Sequence, residues 1–155
     1  MKIEIKWSKP IVLVQDKNLI YSLSVLESVS DLPGIYVFAR KYGDSLTPLY
    51  VGKANSLLKR VKGQLNNVKL MMQVKNWEKN GGRVLLVGYV ANKGNQDIDK
   101  VLGIVESTLI EHFLAEGHPL VNIQGTKKQV HELTFRGNRF SETIAPRSMY
   151  VEAKK

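Results

Sequence analysis

The run RVLLVGYVA at residues 83–91 constrains the architecture more than any other stretch. It is apolar at almost every position, as a strand covered on both faces must be, and it is read as a central strand of a sheet. The rest of the chain has to supply that strand with neighbours and with covering layers.

Neighbours are easy to find. IYVFAR, after the turn chemistry of SDLPG, and LYVG at 49–52 read as two strands of a hairpin, with KYGDSLTP as a long connection between them. MKIEIKW alternates Ile3, Ile5 and Trp7 with charged residues, a half-buried strand pattern, and IVLV at 11–14 is its expected hairpin partner. LIYSLSVLESV is expected to hold a short helix. Two covering helices follow LYVG. NSLLKRVKGQL, capped by Asn55 or Ser56, carries an apolar stripe at Leu57, Leu58, Val61 and Leu65. VKLMMQVKNWEKN continues through Leu70, Met71, Val74 and Trp77 and stops at Gly81-Gly82. VLGIVESTLIEHFLAEG is a third helix, ended by Gly117 with Pro119 beyond it. The tail from 124 mixes basic and aromatic residues and should add a strand or two. The expected fold is α/β: a small antiparallel or mixed sheet of three central strands, extra N- and C-terminal strands, and flanking helices. A chain of 155 residues is expected to be a single domain over 1–155, burying roughly 70% of its unfolded surface in one ordinary core.

Composition narrows the chemistry. The chain has no cysteine, which removes thiol nucleophiles, disulfides, iron–sulfur clusters and cysteine-bearing zinc sites together. No apolar run approaches a membrane span or a signal-peptide core, so a soluble intracellular protein with no membrane contact is expected. Against 23 Lys and Arg stand 14 Asp and Glu, a net charge of +9 that favours polyanionic partners. Charge alone does not separate an enzyme from a binder.

One acidic residue stands in an unusual place. On a helical wheel Leu102, Leu109, Ile110 and Phe113 all lie within about 60° of Glu106, which puts its carboxylate on the face meant for the sheet. Glu111 and Glu116 fall on or near the polar side. A buried carboxylate demands compensation. A salt bridge to Lys53 or Arg60 would supply it, as would a metal ion, and a misdrawn helix would remove the need. Other chemistries fall away. GKANS after a strand invites a phosphate-binding loop, but Thr47 and Ala54 occupy positions where that motif needs Gly and Ser or Thr. His112, His118 and His131 match no zinc spacing, and no serine sits in a nucleophile elbow.

Taken in order, Gly34-Ile35-Tyr36, Tyr50-Val51-Gly52, Arg60 eight residues on, Glu106 four residues before Ile110, and Pro119-x-x-Asn122 resemble the GIY-YIG nuclease family over residues 32–123. The segments 1–31 and 124–155 are then extensions, the second of them basic. Two departures are an enlarged hairpin loop over 37–49 and extra residues at LAEGH. The resemblance implies a metal-dependent endonuclease hydrolysing phosphodiester bonds in DNA, or else in RNA. Glu106 would hold one divalent cation, Mg²⁺ or Mn²⁺, and Arg60 would stabilise the phosphate transition state. Lys53 would assist or hold the attacking water, and Asn122 would order the site. Tyr36 or Tyr50 would be the general base, Tyr36 the first choice. Gly34 and Gly52 are implied as positions where a side chain would crowd the hairpin or the phosphate. The alternatives are a non-catalytic nucleic-acid-binding module that kept the fold, and a basic module contacting RNA or protein. Lys59, Lys62, Arg136 and Arg139 are the expected nucleic-acid contacts. Arg–aromatic interleaving in the tail around Phe135 and Phe140 suits phosphate contact and base stacking. Target choice falls to the extensions, the loops or a partner chain; oligomeric state is not readable.

Overall fold

The computed structural model describes residues 2–78, 80–91, 97–118, 120–121 and 130–152. Strands β1 (Ile5–Trp7), β2 (Ile11–Val12), β3 (Gly34–Tyr42), β4 (Ser45–Ala54) and β5 (Gly82–Val90) form one antiparallel sheet. A 3-10 helix, Leu23–Ser28, leads into β3. Helices α1 (Leu57–Leu65) and α2 (Val68–Lys75) lie between β4 and β5, and α3 (Ile98–Ala115) follows β5. The fold is thus α/β on an antiparallel sheet, in the order β1-β5-β3-β4 with β2 also on β5.

Period-two alternation sorts the core into two layers. On β3, Tyr36 and Phe38 point to the face covered by α1, α2 and the 3-10 helix, with Leu57, Val61, Leu65 and Met71 packed around them. Ile35, Val37 and Ala39 point to the opposite face, where Leu102, Val105, Leu109 and Phe113 of α3 meet them. On β5, Leu85 and Val87 join the first layer and Val84 and Leu86 the second. A strand apolar on both faces is what such a double cover requires.

The hairpin departs from expectation in an instructive way. No long loop joins its strands. β3 and β4 stay paired as far as Tyr42↔Ser45, and Gly43, at φ 60, turns the chain with Asp44. A bulge shifts the register between Phe38↔Tyr50 and Ala39↔Pro48, leaving Leu49 as the extra residue. IVLV is not the partner of β1 either. β1 and β2 both pair with β5, at Gly88–Val90 and at Val84–Leu85, as two pieces of one edge strand interrupted around Pro10. Residues 2–31 of the expected N-terminal extension are therefore part of the sheet and its cover.

α3 ends in a paired stop. Gly117, at φ 89, donates its N–H to Leu114 O and His118 donates to Phe113 O, the two reverse bonds that close a helix on a left-handed glycine. The chain then returns beside the bulge, where Val121 N–H donates to Leu49 O at 2.7 Å. The C-terminal strands β6 (Val130–Thr134) and β7 (Ser148–Glu152) do not extend the main sheet; they form a separate antiparallel pair, with β7 against α3. Among the described residues no helix is long and apolar enough to cross a membrane.

Candidate functional site: a tyrosine pair at a basic groove

The site is built around a missing side chain. In the β3–β4 register Tyr36 lies opposite Gly52, and a Cβ on Gly52 would run into the Tyr36 phenol ring. Glycine here lets the ring lie flat across β4. Gly34 answers to a different crowding: a Cβ there would meet the Gly88 carbonyl and Leu57. Both glycines serve backbone approach within the core.

Tyr36 has no exposed surface. Its hydroxyl accepts a hydrogen bond from Gln64 Nε2 at 2.8 Å, and Gln64, on α1, is itself buried. Tyr50, two residues before Gly52, pairs across the strands with Phe38 and stacks on Tyr36 with ring centroids 6.1 Å apart and planes 24° from parallel. Tyr50 is half-buried. Burial first, then the neighbouring Tyr36, raises its pKa above the ordinary value of 10.0, against a smaller opposing pull from Arg60. Arg60 reaches in from α1, four residues before Gln64. The nearby Tyr36 hydroxyl, with Tyr50 and Glu106 adding to it, holds the guanidinium still more firmly charged.

α3 brings the acidic side. Glu106 is half-buried on the flank of the helix; Leu102, Val105 and Leu109 hold the centre of the packed face. That differs from the central placement expected, because the sheet meets α3 one residue around from Glu106. Its stripe neighbours at helical spacing, Asp99, Leu102 and Gly103, face the same way. Lys53 Nζ lies 3.6 Å from where a Cβ would stand on Gly103, so the glycine gives the lysine its bed. Among the described residues no ion pair within 4.0 Å ties Glu106 to Lys53 or Arg60. The compensating salt bridge is not made.

These elements bound an open groove of about 650 Å³ lined by Lys53, Asn55, Lys59, Arg60, Gln64 and Asp99, among others. Asn55 Nδ2 donates to Asp99 Oδ1 at 2.9 Å and pins the start of α3 to the end of β4. Ser56 caps α1 by position but turns its hydroxyl to Asp31.

Tyr36, Tyr50, Lys53, Lys59, Arg60 and Glu106 thus come together from four elements. Lys62 is exposed on α1 and does not line the groove; Arg136 and Arg139 are exposed between β6 and β7, apart from it. Asn122 lies outside the described residues. Gln64, Asn55 and Asp99 were not anticipated; for Gln64 the one signal in the sequence is its place one helical turn after Arg60. Among the described residues no three His, Asp or Glu side chains converge as a metal cluster. A cation here would rest on one carboxylate, which suits Mg²⁺, an ion that keeps several waters and takes the remaining contacts from phosphate.

Compared with protein-family models, characterised proteins and solved structures, the chain matches none.

Proposed function

We propose that this protein is a divalent-metal-dependent endonuclease of the GIY-YIG kind, hydrolysing phosphodiester bonds in DNA. What carries the reading is that Tyr36, Tyr50 and Glu106, far apart in the sequence, all act on Arg60, which lines a groove together with Lys53 and Lys59. Glu106 is the residue that would hold Mg²⁺ or Mn²⁺. A cation so placed would polarise the scissile phosphate and neutralise charge developing on it. Arg60, which lines the groove, would stabilise the negative charge gathering on a phosphoryl oxygen. Lys53 and Lys59 add positive charge along the same wall and hold the phosphate backbone.

Within this reading the proton acceptor is Tyr50, not the first choice Tyr36. Tyr36 is wholly enclosed and its oxygen already accepts from Gln64, whereas Tyr50 is only half-buried. Tyr36 then acts as a fixed post for Arg60 and Tyr50. One observation favours the second reading, a nucleic-acid-binding module without catalysis: Tyr50 is held above its ordinary pKa, opposite to what a base needs.

Cleavage of supercoiled plasmid, single-stranded DNA and branched DNA separates the two. Metal-dependent cutting that stops both with EDTA and with Glu106→Gln, while the variant still binds DNA, is the expected outcome. Cutting that survives Glu106→Gln, or DNA binding with no cutting of any substrate, would overturn the nuclease reading.

A further inference from the structure

The loop joining β6 to β7, residues 135–147, is held by hydrogen bonds and yet presents its apolar side chains to solvent. Its neck is closed by Phe135 N–H donating to Arg147 O at 2.8 Å. Inside, a 3-10 turn at Arg139–Thr143 is capped by Asn138, whose Oδ1 accepts from Ser141 N at 3.1 Å. Ser141 Oγ donates to Asn138 O at 2.6 Å, and Thr143 Oγ1 to Phe140 O at 2.6 Å. On this frame Phe140 is 85% exposed and Ile144 88% exposed. Isolated exposed apolar residues need no explanation. Two this open, on a turn this well bonded and in one loop with Arg136, Arg139 and Arg147, do. Glu142 is the loop's one acidic residue, and it lies 3.7 Å from Arg147 Nε, leaving Arg136 and Arg139 unopposed within the loop.

We propose that this loop docks a single strand of nucleic acid, Phe140 stacking on an unstacked base while Arg136 and Arg139 hold the adjacent phosphates. Charge selects the occupant: the two unopposed guanidinium groups of Arg136 and Arg139 suit phosphate, which arginine grips in a planar fork. Size argues against the other occupants. Two apolar side chains fall far short of the roughly 800 Å² per partner of a stable protein interface. A five-residue turn also lacks the long amphipathic face that lies in a lipid surface. The inference does not depend on the catalytic reading, since it concerns binding at a surface apart from the groove.

The test is fluorescence anisotropy in EDTA with a fluorescein-labelled oligothymidylate and its duplex counterpart, so that no cleavage is involved. Phe140→Ala is expected to weaken single-strand binding about tenfold with the salt dependence unchanged, as removing one aromatic platform from under a base does. Arg136→Ala with Arg139→Ala is expected to flatten the salt dependence by roughly 0.7 for each phosphate left without its arginine. In Phe140→Trp, the emission added over wild type should be quenched when the oligonucleotide binds. Wild-type affinity in Phe140→Ala, or a tryptophan that stays unquenched, would overturn the proposal. So would a Phe140→Ala defect confined to phosphatidylserine vesicles, marking a lipid surface, or confined to self-association, marking a second copy.

Discussion

Tyr36 and Gly52 face each other across the hairpin, and neither residue makes sense alone. The ring fills the volume that a Gly52 side chain would take, which presses Tyr36 against Tyr50 and leaves Tyr50 half-covered. That cover has a measurable consequence. Because the folded pKa of Tyr50 lies above 10.0, the folded state keeps the phenol proton after the unfolded chain has released it. Its contribution to stability is complete below pH 10 and is lost as pH rises through the folded value. Denaturant unfolding from pH 8 to 11 should therefore show stability falling above about pH 10, less steeply in Tyr50→Phe. Tyr21, raised by its own burial, leaves a residual slope in that variant. Tyr36, Arg60 and Glu106 were legible in the sequence because their order along the chain follows a motif. Gln64 was not: a glutamine on an amphipathic helix looks like solvated surface until a tyrosine from another element is found beneath it.

Among the elements, the join between α2 and β5 rests on one side chain. Arg83, the charged residue that opens the apolar run, is buried and donates from Nε to Val74 O at 2.7 Å and from Nη2 to Lys75 O and Glu78 O. Nη1 turns to the carbonyls of Gly81 and Gly82. Two of these acceptors are the last carbonyls of α2, which a cation at a helix C-terminus satisfies in both hydrogen bonding and charge. Lysine has the charge without the fork. Arg83→Lys should cost about 3 kcal/mol in denaturant unfolding and speed hydrogen exchange in the last turn of α2. The hairpin shows the opposite limit of sequence reading. KYGDSLTP looks like a loop because Gly, Asp, Ser and Pro are turn formers, but the ladder continues through it and the bulge at Leu49 absorbs the offset. Local propensity yielded to pairing with a strand already in place.

At the scale of the whole molecule, the N-terminal strands complete the sheet. β1 and β2 satisfy the free edge of β5, while Leu13, Tyr21 and Leu26 seal one side of the core. Removing residues 2–14 should therefore produce aggregation and loss of a cooperative thermal transition, read by size exclusion and circular dichroism, because an apolar edge strand would be left bare. A change in substrate choice with unaltered stability would contradict that. What the sequence determined by itself was whatever depends on spacing along one element: the helix stripes, the two-faced strand at 83–91, the glycine stop of α3 and the excess of positive charge. These follow from the fixed 3.6- and 2-residue periods of the backbone. Helix α2, by contrast, ends at Lys75, short of the Gly81-Gly82 stop expected for it. Tertiary structure alone decided which strand β2 joins, that Glu106 lies on a flank without a salt bridge to Lys53 or Arg60, that Tyr36 is sealed while Tyr50 is half-covered, and that Gln64 bonds the Tyr36 hydroxyl. Each of those depends on where a second element lies, and a side chain's burial is set by neighbours distant in sequence.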